Sequence, residues 1–190
     1  MARSGARIKT QTDAAFTPAE VAKITEVSPE LQRDWRRRKL LRPNQRGHAR
    51  YEPHVVAELM VMKLLAQHKV GPSQTHKMSK RLSRDVLWHA FSNCDGALEI
   101  EGEPELVANF RRELKCGPDD LLMAIAGVKM VPTSFAVIDR NGKCIQTGDD
   151  HALAGAIREQ GEGAVVVVDL DWIARRLAKR AGRALVTIKL

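Results

Sequence analysis

The chain has 190 residues, with 31 Lys and Arg against 23 Asp and Glu and a formal net charge of +8. That length holds one or two domains with cores of their own. No run of about 18 apolar residues is present, so no membrane-spanning helix is expected, and residues 1–15 lack the apolar segment of a secretory signal. The charge is uneven. Residues 1–91 carry 18 basic and 8 acidic side chains, a net of +10, while the remaining 99 carry 13 and 15, a net of −2. Alone, a basic half says only that a polyanion is a plausible partner.

In chain order, residues 1–15 are expected to form a flexible basic arm. Thr17 caps a short helix that opens on Pro18, with Val21 and Ile24 on its apolar face. Ser28-Pro29-Glu30 restarts the chain as cap, first helical residue and first-turn acid. Leu31, Trp35, Leu40 and Leu41 form the buried side of this second helix. Arg33, Arg36, Arg37, Arg38 and Lys39 lie largely elsewhere on it. Apolar on one side, cationic on the other and preceded by a tight turn, it suits a DNA major groove.

These residues resemble the MerR-type winged helix-turn-helix. The family pattern is aromatic-T-x-x-E-V-A, then V-S-x-x-x-x-R-x-aromatic, G-L-L-x-P, a glycine-containing wing and Y-x-x-x-D-V. The chain supplies Phe16-Thr17 with Glu20-Val21-Ala22, then Val27-Ser28, Arg33 and Trp35. Lys39-Leu40-Leu41-Arg42-Pro43 follows, then Arg46-Gly47-His48-Ala49-Arg50-Tyr51 and Val55-Val56. The likeness covers residues 16–87. It departs at Lys39, where the family has a helix-ending glycine, and at Gln32 and Asp34, where it has leucine and tyrosine. The short wing is closer to the excisionase-like, phage-borne branch.

The resemblance implies a double-stranded DNA partner, with helix 29–39 in the major groove and wing 44–51 on the backbone. Arg33 and Arg37, one turn apart, are the expected base readers, since arginine pairs with guanine acceptors. Arg36, Thr17 and Ser28 complete the helical contact set. Glu30 and Asp34 either accept from cytosine or serve the helix dipole. Arg46, His48, Arg50 and Tyr51 would sit on phosphates, which fixes register without reading sequence; for Tyr51, packing is the equal alternative.

Residues 53–67 read as an amphipathic helix, broken at Val70-Gly71-Pro72 and followed by a helix over 73–91. Residues 92–96 end the pattern, and no heptad repeat succeeds it. Beyond lies a small mixed unit, residues 97–190. A strand at 97–101, helices at 104–115 and 119–126, and a hairpin with strands 133–138 and 143–147 about Asn141-Gly142 come first. A helix at 149–160, a buried strand at 164–170, a helix ended by Gly182 and a strand at 184–188 follow. The fold class is thus α+β: a winged helix-turn-helix domain over 16–91 and an α/β dimerisation or interaction domain over 97–190.

Enzymatic readings find little support. No phosphate-cradling glycine loop follows a strand, and the aspartates sit at turns and helix starts, where capping explains them. Cys94, Cys116 and Cys144 match no zinc spacing and are expected as reduced thiols. No catalytic residue, metal or cofactor is assigned. The expected protein is a cytoplasmic, nucleoid-associated transcription regulator. It acts as a homodimer through residues 184–190 or helix 73–91, and its C-terminal unit recruits RNA polymerase, an integrase or a nucleoid protein. The alternative is an architectural factor of excisionase, recombination or packaging type.

Overall fold

The computed structural model describes residues 8–41, 50–116, 120–127, 131–160 and 163–190. Strand β1 (Thr10–Asp13) leads into α1 (Pro18–Thr25) and α2 (Pro29–Arg37), and then into α3 (Pro53–Gln67) and α4 (Pro72–Asn93). Strand β2 (Leu98–Glu101), α5 (Pro104–Cys116) and α6 (Asp120–Ala126) follow. The chain continues with β3 (Phe135–Asp139), β4 (Cys144–Thr147), α7 (Asp150–Glu159), β5 (Val165–Asp169), α8 (Leu170–Ala181) and β6 (Val186–Lys189).

The α3–α4 hairpin is the centre of the molecule. Helix α3 buries residues on every side, from Val56 and Ala57 through Leu59, Met60, Val61 and Met62 to Leu65, because α1, α4 and α8 all pack on it. All-round burial of that kind marks a helix enclosed by others. Lys69 takes a left-handed φ of 65° in the turn, and Gly71 accepts the next helix start.

Helix α8 carries one apolar stripe, Ile173, Ala174 and Leu177, each at most 1 % exposed. The stripe faces α1, α3 and α4, so a helix from the C-terminal third completes the core of the N-terminal helices. The two regions expected as separate domains share this single core. Asp169 caps α8 by accepting from the Trp172 N–H, and Gly182 at φ 64° ends it.

Two three-stranded sheets flank the helices, ordered β1-β6-β2 and β4-β3-β5. Residues 10–13, expected within a flexible arm, form β1 and pair antiparallel with β6 from Thr10↔Lys189 to Asp13↔Val186. All four side chains of β1 are exposed. The strand is held by backbone bonds, which leave no apolar signature in the sequence. β2 pairs parallel on the other side of β6, so both edges of β6 are taken.

The valine run is a second correction. β5 is the edge of its sheet, paired only with β3 among the described residues, and Val167 is 41 % exposed. A β-branched run is compatible with an edge as well as a buried strand. The β3–β4 turn forms about Asn141-Gly142. Asp139 and Lys143 bracket it, and only Gly142 has positive φ, at 83°. The Asp139 carboxylate accepts from the Asn141 and Lys143 N–H groups, both at 2.8 Å. A Cβ on Gly142 would lie 3.1 Å from Cβ of Gln74, so the turn rests directly on α4.

The β3–β4 sheet meets α4 through a buried polar strip. Thr133 Oγ1 and Gln146 Nε2 donate to Asp85 Oδ2 at 2.7 and 2.8 Å. One turn on, His89 Nε2 donates to the Thr133 carbonyl at 3.0 Å. Outside the strip, exposed Asn93 Nδ2 donates to Asp171 Oδ1 of α8 at 2.7 Å, and Arg175 Nε holds the other oxygen of Asp171. Asp85 is 6 % exposed, and burial raises its carboxyl above the ordinary value of 3.8, against the lowering effect of Thr133, His89 and Gln146.

Two measurements test this packing. Ile173→Ala should cost about 2–5 kcal/mol and lower the melting of the whole chain in one transition; tryptophan fluorescence and far-ultraviolet circular dichroism should report the same midpoint. Asp85 binds its proton more tightly folded than unfolded, so its contribution to stability falls as pH rises from about 3.8 through the raised folded value. Asp85→Asn keeps an acceptor for Thr133 without the charge. Its melting temperature should exceed wild type at neutral pH, with the gap closing as pH is lowered.

Candidate nucleic-acid interface

Helix α1 begins with a reciprocal cap. The Glu20 N–H donates to Thr17 Oγ1 at 3.2 Å, and the Thr17 N–H donates to Glu20 Oε2 at 2.6 Å. The Thr17 N–H and its side chain hold the Glu20 carboxyl below the usual range, against the opposing effect of burial, with the charges of Arg183 and Arg50 adding to the lowering. Thr17 therefore has its side-chain oxygen committed to the helix end.

The turn to α2 is tight and non-glycine. Glu26 takes φ 60° and donates its N–H to the Ala22 carbonyl. That conformation is uncommon for a residue with a Cβ. Its carboxylate is gripped from α8, by Arg180 at 2.6 Å and Arg176 at 2.9 Å, and Arg180 Nη1 also donates to the Ile24 carbonyl. Ser28 caps α2 by accepting from the Leu31 N–H at 3.3 Å.

Gln32 is fully buried. Its Nε2 donates to the Pro18 carbonyl at 3.0 Å and to the Val27 carbonyl at 2.8 Å. One amide thus ties the start of α1, the turn and α2 together. The sequence marks this position only as a departure from the expected leucine, since a polar residue on an amphipathic helix gives no sign of which way it faces.

The outer face of α2 presents Ser28, Glu30, Arg33 and Arg37 to solvent, with Asp34 half-buried between them. Arg33 pairs with Glu30 at 3.4 Å and Arg37 with Asp34 at 2.6 Å. Exposed i,i+3 pairs of this kind are weak and readily exchanged. Arg36 turns away from them, its guanidinium 5.6 Å from the Tyr51 ring centroid. Lys39, at the helix-ending glycine position, takes φ 59°, and the Leu40 N–H reaches back to the Trp35 carbonyl at 2.9 Å. The left-handed cap survives without its glycine.

Ahead of α1 and ahead of α3, Phe16 and Tyr51 exchange both backbone hydrogen bonds at 2.9 Å. Tyr51 is 2 % exposed and packs in the core, whereas Arg50 is exposed beside it. Arg183 stacks 4.5 Å from the Phe16 ring centroid and donates to the Ala15 carbonyl. Arg46 and His48 lie outside the described residues.

Elsewhere, Cys94 and Cys144 are free, half-buried thiols, and burial pushes both above their ordinary values. Low-reactivity cysteines sit in such surroundings. Among the described residues, no group of three His, Cys, Asp or Glu is placed to hold a metal ion, and no helix is long and apolar enough to cross a membrane.

Two capped helices about a tight turn, a charged outer face on the second and the Phe16–Tyr51 bridge define a helix-turn-helix unit. Residues 16–81 match the family model described as MerR HTH family regulatory protein, about a third of the chain, so this segment is a MerR-type helix-turn-helix. The match supports a DNA-binding regulator. No curated protein and no solved structure matches the chain.

The Gln32 bridge gives a test that leaves the outer face untouched. Gln32→Ala removes the donor from two backbone carbonyls and should cost about 1–3 kcal/mol, read as a lower urea midpoint with an unchanged slope.

Proposed function

We propose that the protein is a sequence-specific double-stranded DNA-binding transcription regulator. Helix 29–39 enters the major groove and the segment 44–51 lies on the backbone. The observation that carries this reading is the outer face of α2. Arg33 and Arg37 stand one turn apart there, exposed and held only by exchangeable ion pairs, on a helix whose other face is locked by Trp35 and Gln32. Arg33 and Arg37 read bases, Glu30 and Asp34 orient them, and Arg50 neutralises a phosphate. Arg36, drawn to the Tyr51 ring, contacts the backbone near the wing.

Two heads per site are needed, because one short helix reads too few bases; the protein therefore acts as a homodimer. A long free helix does not supply the contact, since α4 ends at Asn93 and packs against α3, α6 and α8. The C-terminal unit is the surface for a second protein. Cytoplasmic, nucleoid-associated action follows from this reading.

The deciding experiment maps genome-wide occupancy of the tagged protein, then titrates the purified chain on the site found. Discrete promoter sites with two chains bound are expected. Arg33→Ala should lower the specific-to-random affinity ratio, by about 1–3 kcal/mol, and Arg50→Ala should weaken all sequences alike. Equal loss on both sequences for Arg33→Ala removes the groove assignment. One chain per site removes the dimer. Occupancy of an attachment or packaging locus would move the reading to the architectural class.

A further inference from the structure

Four strands form the edges of the two sheets, and three of them are guarded. β1 is short, exposed throughout and ends on Asp13, and β2 alternates its apolar residues with Glu99 and Glu101. β4 carries Gln146 and Thr147, with α7 packed on it. Short, charged or covered edges resist pairing with other chains. β5 has none of these devices along its first four residues. Val165, Val166, Val167 and Val168 run without a charge or a proline, and among the described residues only β3 pairs with them.

The ladder decides which backbone groups of β5 are free. The Leu170 N–H donates to the Ser134 carbonyl, and on the other side of β3 the Asp139 N–H donates to the Lys143 carbonyl. Bonded and non-bonded pairs alternate along antiparallel strands. Val166 and Val168 therefore turn their N–H and C=O groups to β3, while Val165 and Val167 turn theirs to the open edge. The side chains alternate too. Val168 is buried in the core, whereas Val167 is 41 % exposed. Val137 stands opposite Val167 on the same face and is fully buried, so the cover over β3 stops short of β5.

We propose that the β5 edge pairs antiparallel with the β5 edge of a second copy of the chain, about a two-fold axis at Val167. The two three-stranded sheets then become one continuous sheet. The proposal rests on the homodimer reading above and names its contact. A strand paired antiparallel with itself is two-fold symmetric, so one edge serves both copies. In this register Val167 exchanges both backbone bonds with its counterpart and Val165 stands opposite Asp169, so no like charges meet. The charge distribution favours the same end of the chain. Residues 1–91 carry a net +10 and repel a second copy, while the remaining 99 carry −2. β6 is paired on both sides, so residues 186–189 cannot add a strand. Five residues of β5 span about 17 Å, a contact at the small end of specific interfaces, so the dimer should dissociate in the micromolar range.

The test is sedimentation of the full chain over a micromolar concentration series. The wild-type mass should rise from the 21.1 kDa of one chain toward twice that value. Val167→Lys should weaken the dimer by about tenfold or more, because the two-fold axis sets two ammonium groups against each other; circular dichroism should be unchanged, since the site is exposed. Val167→Thr keeps a β-branched residue and the backbone bonds, and should keep the dimer. Air oxidation reads the register, with the wild-type chain as the control for its own thiols. Val167→Cys should cross-link to its own copy, because paired Cα atoms lie about 5.5 Å apart, within disulfide reach. Val165→Cys should not, since its two copies lie four residues apart, about 14 Å. A dimer that Val167→Lys leaves intact, or equal cross-linking at the two positions, overturns the β5 contact alone. A monomer at every concentration overturns it too and points to a strand of a different protein as the occupant. Titration on DNA then decides the homodimer reading separately: two chains per site keep it, and one chain removes it.

Discussion

The seating of α8 against α1 and its turn is the contact on which the rest of the molecule depends. Two forces act there together. Ile173, Ala174 and Leu177 close the apolar core, and Arg176 and Arg180 hold the Glu26 carboxylate at the left-handed residue between α1 and α2. The apolar contact supplies stability but little direction. The arginines supply direction, because guanidinium donors meet the carboxylate and the Ile24 carbonyl at fixed geometry. A short helix-turn-helix has few internal contacts with which to fix the angle between its helices. Here the angle is set by Gln32 from inside and by α8 from outside.

The polar strip between α4 and the second sheet has a different character. Asp85, His89 and their partners form hydrogen bonds where an apolar seam would be more stable. Such a seam admits one register, because a slip by one turn would leave Asp85 buried without donors. The strip therefore specifies where the sheet sits on the helical body more than how tightly it is held.

Much of the fold was legible in the sequence where the signal is local. Thr17-Pro18, Ser28-Pro29, Val70-Gly71-Pro72 and Gly182 mark helix ends through capping and backbone restriction, and those ends are found within a residue or two. What could not be read was whatever depends on a distant partner. β1 has no apolar alternation, so nothing announces its pairing with β6. The valine run tells of a strand but not of its place at the sheet edge. In the candidate interface, the spacing of Arg33 and Arg37 places both on the outer face, yet the turn of Arg36 toward Tyr51 depends on a contact between residues 15 positions apart. Gln32 was visible only as an oddity, because its two carbonyl partners become neighbours once the turn has formed.

The pairing of β1 with β6, and of α1 with α8, also orders events at the ribosome. The residues of α1 and α2 emerge before the side chains that close their core, which lie some 150 positions later, as the Arg176–Glu26 and Arg180–Glu26 pairs record. Contacts of such sequence separation form slowly, since a long loop must close before they reward it. Until α8 and β6 are available, α1 and α2 are short helices without a floor, below the length that is stable alone. The helix-turn-helix therefore has no finished core until those distant partners have formed, and its folding is tied to elements far from it in sequence.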